Sequence, residues 1–564
     1  MRENRTYGLM RGLQSGTNCS VLYSTMIPLK INNYNEMKRS IFVFAWVVIF
    51  ILPGFQKVSG IHTRNMPTVK GIVFHDRDGN RLYDPSEDKP LRGIAVSNGR
   101  EVVITNRKGF YELPLRDNPA IFVIKPRNWM VPVDENQTPL FYYLYSSGGV
   151  SGSQFEGLSA TGELPENVNF PLYRRKEPKK FNVLVFGDTQ PRDHKEICYM
   201  EQDVLPEVAG IDAAFGITLG DVVFNDLDLF EHLTSSLSTV GIPWWYVPGN
   251  HDIDYSGNNN SEGRGAWYRN FGPSYYSFSY GPVHFIVLDD IRMIFEGERH
   301  FYRTGLGEDQ MEFLRNETDR LKKDQLLVLL THIPYEKSTE WEDESEKKAF
   351  YDLIAGHPNT ITLAAHTHQH YHQFIGKESG YPGEQPHHMI SMGTVCGAWW
   401  TGAPDEYGIP HAMMSDGTPN SYGILHVDDN EWKMRWKAAG KPADFQMYID
   451  APEYVNANSS ETITVKANIY NALPGAGVKM RIGNNGEWVS MKRVPQPDPV
   501  RSAVMEWEEQ LGDVPWRKLG AIKISEHIWE AEQNIALEPG VHVIYVKAAD
   551  EWWEYEGKRL LYVR

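Results

Sequence analysis

The stretch FNVLVFGDTQ, residues 181–190, decides the fold class. Five of its first six residues are apolar, and a short apolar run of this kind is typical of a strand that is buried on both faces. Asp188 and Gln190 follow immediately, where the chain turns away from the strand. The stretch therefore indicates an α/β domain whose sheet edge carries polar side chains.

Four further motifs follow in order, and each lies at the end of a predicted strand or in the loop after it. Helical segments predicted near residues 194–208 and 227–240 alternate with these strands. Ligands of open α/β sheets bind beyond the carboxyl ends of the strands, so we expect all five motifs to converge on one cleft. The four are Gly220-Asp221, Gly249-Asn250-His251-Asp252, Thr331-His332 and Ala365-His366-Thr367-His368.

The side chains of these motifs suit the hydrolysis of a phosphate ester. That reaction needs positive charge over the equatorial oxygens, a nucleophile that is strong at neutral pH, and an acid for the departing alkoxide. Two metal ions about 3.5 to 4 Å apart supply the first two needs by clamping the oxygens and acidifying a bridging water. A shared carboxylate with terminal oxygen and imidazole ligands holds such a pair, and the motifs contain those groups.

The ordered motifs resemble those of the calcineurin-like metallophosphoesterase superfamily, over residues 181–430. The resemblance implies a four-layer αββα core that holds a dinuclear metal centre, with a metal-bridging hydroxide as the nucleophile. By position within the motifs it assigns seven ligands: Asp188, Gln190 and His368 to the first metal ion, Asn250, His332 and His366 to the second, and Asp221 to both.

The same resemblance makes His251 the proton donor to the leaving group, with Asp252 orienting it. Gln190 is a departure, because the superfamily commonly has His there, although branches resembling ADP-ribose and CDP-alcohol pyrophosphatases also carry Gln. An amide oxygen is a weaker and harder donor than imidazole, so we expect a looser or different first metal ion. Phe224 stands where purple acid phosphatases place a tyrosine ligand. The expected cofactors are therefore two divalent ions, such as Mn, Zn or Fe, rather than a ferric ion.

The loop after the last motif has the polar and aromatic character of a binding segment. Trp399, Trp400 and Asp416 are the residues predicted to contact the organic part of the substrate. The alternative for the two tryptophans is that they seal an edge of the core, because Trp is largely buried in most proteins.

Both flanks of the central domain have strand patterns without alternating helices. We expect an N-terminal β-sandwich over residues 61–175, the phosphoesterase domain over 176–432 and a C-terminal β-sandwich-like domain over 433–564. The first flank resembles carboxypeptidase-regulatory-like and bacterial surface B-type repeat sandwiches through its Asp76-Arg-Asp78-Gly79-Asn80 and Thr105-Asn106 segments. A calcium site at Asp76, Asp78 and Asp84 and an ordinary polar turn both fit this sequence.

Residues 1–60 are predicted to be an overcalled start followed by a signal peptide from Met37, in which Lys38 and Arg39 precede the apolar residues 41–52. An uncleaved N-terminal anchor is the alternative. No longer apolar run occurs, so no stable membrane span is expected after cleavage, and the protein is predicted to be periplasmic or secreted. The formal net charge is -17, which disfavours nucleic acid as the main partner.

The sequence predicts an exported phosphomonoesterase or phosphodiesterase that acts on a phosphorylated small molecule or a glycan-linked phosphate. Gln190 keeps a nucleotide-diphosphate-type pyrophosphatase open as an alternative. A different class of function, a surface binding protein on a vestigial phosphoesterase scaffold, is motivated by the flanking domains and the altered first motif. The near-complete ligand set weighs against it.

Overall fold

The structure is a computed structural model that describes residues 67–564, apart from 153, 297–298, 337–339 and 458–461. The predicted signal peptide lies outside the described residues. The segment Asn65–Arg564 forms one compact unit. No helix among the described residues is long and apolar enough to cross a membrane.

The N-terminal domain consists of two facing sheets. One has the strand order β2-β1-β9-β7, with β5 paired to the first half of β1, and the other has the order β4-β3-β6-β8. The strands are β1 Thr68–His75, β2 Lys89–Pro90, β3 Ala95–Ser97, β4 Val102–Ile104, β5 Phe110–Pro114, β6 Ala120–Val123, β7 Trp129–Met130, β8 Tyr142–Leu144 and β9 Phe170–Arg174.

The central domain contains two mixed sheets and most of the helices. The strands are β10 Lys180–Phe186, β11 Phe215–Leu219, β12 Trp244–Val247, β13 Tyr276–Tyr280, β14 Val283–Val287, β15 Ile291–Glu296, β16 Arg299–Thr304, β17 Leu327–Leu330, β18 Thr360–Ala364, β19 Tyr371–Ile375, β20 His387–Ser391, β21 Ser421–Asp428 and β22 Glu431–Ala438. The helices are α1 His194–Asp203, α2 Leu205–Val208, α3 Phe230–Ser238, α4 Asn260–Gly263, α5 Gly265–Phe271, α6 Glu308–Arg320 and α7 Glu344–Ala355, with single 3₁₀ turns at Leu227–Leu229 and Lys377–Ser379.

The four-layer prediction is confirmed, and strand β10 shows why. Its alternate side chains point to opposite faces of the first sheet, which has the order β12-β11-β10-β21-β22. Val183 and Val185 pack between the two sheets, whereas Leu184 and Phe186 pack against the helices α1 to α3. The second sheet, β13-β14-β17-β18-β20-β19, is covered on its outer face by α6 and α7.

The N-terminal domain shares a continuous core with the central domain. Phe122 of β6 packs edge-on against Phe313 of α6, with the ring centroids 5.7 Å apart. Between the domains, the buried Lys125 ammonium donates to the Glu177 carboxylate at 2.6 Å. The basic segment that precedes β10 is therefore anchored to the N-terminal domain through Glu177.

The C-terminal domain has its own core between two sheets, of orders β23-β25-β31-β28 and β24-β33-β32-β26-β27. A helix that the sequence pattern did not predict, α8 Pro499–Gln510, interrupts the strands. The strands are β23 Met447–Asp450, β24 Tyr454–Val455, β25 Thr462–Ile469, β26 Gly477–Ile482, β27 Val489–Ser490, β28 Lys492–Arg493, β29 Gln496–Pro497, β30 Ile524–Ser525, β31 Ile528–Asn534, β32 Gly540–Ala549 and β33 Glu554–Val563.

The acidic loop after β1 brings together a different set of carboxylates from the one considered for calcium. The three carboxylates that come together there belong to Asp76, Asp78 and Asp88, not to Asp84. Asp84 instead accepts hydrogen bonds from the backbone and hydroxyl of Ser86, and Asp76 accepts from the backbone nitrogens of Gly79 and Arg81. These contacts are those of an ordinary Asx-type turn.

A buried carboxylate joins helix α6 to the second sheet. Glu317 is fully buried and accepts hydrogen bonds from the Ser277 hydroxyl at 2.6 Å and from the guanidinium of Arg320. His284 Nε2 lies 3.0 Å from the same carboxylate. Although burial alone would raise the pKa of Glu317, Arg320 and the His284 hydrogen bond lower it to about 2.

We expect Glu317→Gln to destabilise the protein by about 3 kcal/mol at neutral pH, because it breaks a buried, hydrogen-bonded ion pair. Since the pKa of Glu317 is lowered on folding, this contribution is complete above its ordinary value and is lost as the pH falls towards 2. Urea unfolding at several pH values measures it. Glu312→Gln, which removes a more exposed ion pair with Arg315 on the same helix, is the matched control and should cost under about 0.5 kcal/mol. Equal effects of the two variants would contradict the assignment.

Candidate metal centre

The predicted ligands lie together at the carboxyl edges of the two central sheets, and most of them have an unusual backbone conformation. Five have φ in the left-handed region, where residues other than glycine rarely occur. Each such residue costs of order 1–3 kcal/mol and tends to persist at functional sites. The five are Asp188 (22°), Gln190 (41°), Asp221 (47°), His366 (64°) and His368 (49°).

Asp221, His332 and His366 form a compact group whose ligand atoms all lie within 4.8 Å of one another. His332 Nε2 is 3.3 Å from Asp221 Oδ1 and 3.1 Å from both His366 Nδ1 and the Asn250 side-chain oxygen. His332 Nδ1 is 2.8 Å from the carbonyl oxygen of Leu219, so it donates a proton there and turns Nε2 towards the group. This arrangement fits a divalent cation.

Asp188 and His368 form the neighbouring pair. Asp188 Oδ2 is buried without a hydrogen-bond partner among the described residues, and His368 Nε2 lies 3.0 Å from it. His368 Nδ1 is 2.5 Å from the carbonyl oxygen of Gly397, which turns Nε2 towards Asp188. A buried carboxylate oxygen whose nearest polar neighbour is an imidazole nitrogen also fits a metal ion.

Gln190 lies between the two groups and donates its amide Nε2 to Asp221 Oδ2 at 2.9 Å. Its Oε1 is 3.8 Å from the buried thiol of Cys396. The oxygen is the only atom of this amide that ligates a hard cation, and it faces Cys396 in this hydrogen-bond network. Gln190 thus reaches the predicted place, while its role as a ligand stays a prediction.

The electrostatics of the site centre on Asp221. Although burial would raise the pKa of this carboxyl, the imidazoles of His332 and His251 hold it well below its ordinary range. Conversely, Asp221 overcomes the burial of His332 and raises the pKa of that imidazole to about 10. Burial and the neighbouring His332 lower the pKa of His366 to about 3. The group therefore combines one strongly held negative charge with imidazoles in different protonation states.

His251 lies beside the ligands and is held on both sides. Its backbone nitrogen donates to Asp221 Oδ1 at 2.8 Å, and its Nδ1 is 2.7 Å from the side-chain oxygen of Asn225. Its ring stacks on Phe224, with centroids 4.4 Å apart. The prediction that Asp252 orients this imidazole is wrong, because the Asp252 carboxylate accepts from the backbone nitrogens of residues 222, 223 and 249. Asp252 fixes the loop, and Asn225 positions the ring.

Of the three predicted substrate contacts, two are wrong. Trp400 is 1% exposed and packs in the helix-facing core beside Tyr199. Asp416 is equally buried, accepts from the His370 backbone nitrogen at 2.9 Å and faces His527 of the C-terminal domain at 3.5 Å. Trp399 is half-buried and stacks on His368, with ring centroids 4.1 Å apart, so it does lie at the metal ligands.

Two residues near the site were not predicted from the sequence. Asn225 lies four residues after Asp221, and no sequence signal distinguishes it from a turn residue. Tyr302 comes from the hairpin β15–β16, and its ring centroid is 6.0 Å from that of His366. Burial and the two site carboxylates raise the pKa of Tyr302 to about 12, which keeps the phenol neutral.

A fold of two mixed sheets with clustered Asp, Asn and His side chains at their carboxyl edges defines a metallohydrolase. Three family models match this chain: calcineurin-like phosphoesterase over residues 181–370, and the N-terminal and C-terminal domains of calcineurin-like phosphoesterase over 80–159 and 390–555. The chain belongs to the calcineurin-like phosphoesterases and is a phosphoester hydrolase.

Comparison with solved structures finds weaker likenesses. A purple acid phosphatase from yellow lupin (Lupinus luteus) seeds is 12% identical, with a TM-score of 0.34, over 66% of this chain and 67% of that chain. An endo-beta-1,4-mannanase from Thermotoga petrophila is 8% identical, with a TM-score of 0.13, over 66% of this chain and 70% of that chain. No curated protein matches the chain.

The different burial of the paired tryptophans predicts different effects of their removal. Trp400→Ala should destabilise the protein by about 3–5 kcal/mol, because it empties a large volume in the core. Trp399→Ala should cost less than half as much, since its ring is half-buried. Thermal and urea unfolding of the two variants measure this. A smaller effect at Trp400 than at Trp399 would contradict the assignment of Trp400 to the core.

Proposed function

We propose that the protein is an exported metal-dependent phosphomonoesterase or phosphodiesterase with a dinuclear metal centre. The observation that carries the proposal is the compact group Asp221, His332 and His366 beside the Asp188 and His368 pair. Asp221 contacts His332, a predicted ligand of the second metal ion, on one side and Gln190, a predicted ligand of the first, on the other. A carboxylate so placed suits a bridging ligand.

Two bound divalent ions would supply positive charge for the phosphoryl oxygens and a water that is acidic at neutral pH. The side chains of Asp188, His368, Asn250, His332 and His366 would hold these ions, with Asp221 shared. Gln190 would complete the first set through its amide oxygen.

His251 would donate the proton to the leaving oxygen. Its Nδ1 faces Asn225, so Nε2 is the nitrogen directed to the cleft. Burial lowers the pKa of this imidazole below its ordinary value, and Asp221 offsets only part of that decrease. The phenyl ring of Phe224 prevents the imidazole from tilting away. The leaving part of the substrate therefore lies on the His251 side of the site.

Activity and metal content together test the proposal. The wild-type protein should hold about two metal ions per chain and release nitrophenol from nitrophenyl phosphate. Asp221→Ala should lose both, because it removes the shared ligand. His251→Ala should keep the metal and lower kcat by about 10²- to 10⁴-fold, as expected for loss of a general acid. Asn225→Ala should give a smaller decrease of the same kind. Robust turnover by Asp221→Ala would overturn the mechanism.

A pyrophosphatase that splits nucleotide-diphosphate linkages is the second candidate, and the amide at Gln190 favours it. Comparing ADP-ribose and CDP-alcohols with simple nitrophenyl esters separates the two activities. A clear preference for simple esters would count against the pyrophosphatase. The vestigial binding protein is disfavoured by the converging ligands and would be excluded by two bound metal ions per chain.

Export is proposed from the apolar residues 41–52 after Lys38 and Arg39. The full-length chain, expressed in a bacterial host, should appear in the periplasm or medium with its N-terminus near residue 60. Mass spectrometry of the purified protein measures this N-terminus. A protein that keeps residues 1–60 after export would instead support the anchor.

A further inference from the structure

Two guanidinium groups share one carboxylate beside the metal centre. Arg192 Nη1 lies 3.4 Å from Glu196 Oε1, and Arg517 of the C-terminal domain is paired with the same oxygen. Over the described part of the chain, neither arginine has a second carboxylate within ion-pair distance. The trio therefore carries an excess of one positive charge, although the protein as a whole carries -17.

Arg192 lies on the His251 side of the centre. Its guanidinium carbon is 4.3 Å from the centroid of the Phe224 ring, which also stacks on His251. Its Nη1 donates to the carbonyl oxygen of Trp399 at 2.8 Å, and the Trp399 ring stacks on His368. A single aromatic ring thus separates this cation from the proposed proton donor.

Arg517 completes the pair from the segment between α8 and β30. The Gly402 backbone nitrogen donates to the Arg517 carbonyl oxygen at 2.7 Å, which fixes this segment on the Trp399 loop. The Arg517 side chain is 47% exposed, whereas that of Glu196 is 4% exposed. Only Nη2 of Arg517 makes hydrogen bonds within the described residues, to Glu196 and the Trp400 carbonyl. Its Nε and Nη1 hydrogens are therefore open to a ligand.

We propose that Arg192 and Arg517 form an anion subsite for a negatively charged group on the leaving part of the substrate. The subsite rests on the proposed function, because the role of His251 marks the leaving-group side. An excess cation held by a buried carboxylate attracts a further anion, and a guanidinium binds carboxylate or phosphate through paired hydrogen bonds. The preferred substrates are phosphate esters whose alcohol carries a carboxylate or a second phosphate.

The test measures binding of two phosphonates that differ in one group, 4-carboxybenzylphosphonate and 4-carbamoylbenzylphosphonate. Their carbon–phosphorus bond is not hydrolysed, so the measurement does not depend on turnover. Calorimetry with Mn²⁺-loaded wild-type protein should show about fivefold tighter binding of the carboxylate, as expected for a partly exposed charge pair. In Arg517→Ala the ratio should fall to about one.

Lys518→Ala is the matched control, because Lys518 is the next residue and lies 3.5 Å from Glu509 instead of the trio. It should keep the wild-type ratio. Arg517→Lys retains the charge and should keep part of the preference, even if Arg517→Ala weakens both phosphonates through a general disturbance. Added salt should reduce the wild-type ratio.

Equal binding of the two phosphonates by the wild type, a full preference retained in Arg517→Ala, or no binding of either would overturn the subsite. The nitrophenyl phosphate assay reports separately on the proposed function. If nitrophenyl phosphate is hydrolysed but the two phosphonates bind equally well, only the subsite is contradicted. If the carboxylate is preferred but nitrophenyl phosphate is not hydrolysed, only the proposed function is contradicted.

Discussion

The carboxylate of Asp221 is the constraint on which the site depends. It accepts from Gln190 and from the His251 backbone and faces His332, so it ties three loops that follow different strands to one point. Its neighbours can approach only because the chain adopts left-handed φ values at five of the predicted ligands. That strain is tolerable because the strands beneath are buried in two extensive cores. The geometry of the site thus depends on the packed layers beneath it.

The fold and the ligand set were predictable because both follow local rules. An apolar run such as residues 181–186 predicts a buried strand, and strand ends meet at one edge of a sheet. The residues beyond this edge were harder to predict. Trp399 and Trp400 are adjacent and have similar positive φ values, yet the ring of Trp399 lies against His368 and that of Trp400 enters the core.

The side chains that contact the predicted site residues from outside were also not predictable from the sequence pattern. The family resemblance assigns Asp252 to orient His251, but the Asp252 carboxylate instead accepts hydrogen bonds from three backbone nitrogens. Asn225 takes that place from a loop after another strand. Arg517 pairs with Glu196, which lies 321 residues earlier in the sequence, and no local sequence pattern predicts such a contact. The packing of the domains decides which side chains meet in such contacts. These partners therefore follow from the folded chain and not from a local stretch of sequence.

The contact of Phe122 with Phe313 has a consequence for how the chain folds. Phe122 is fully buried, and the ring that covers it belongs to α6, far along the sequence. The N-terminal sheets therefore finish their core only after more than half of the chain has been synthesised. Until then this apolar face is exposed to solvent, and loop closure over that distance is slow. The N-terminal domain consequently needs protection from aggregation until helix α6 covers this face.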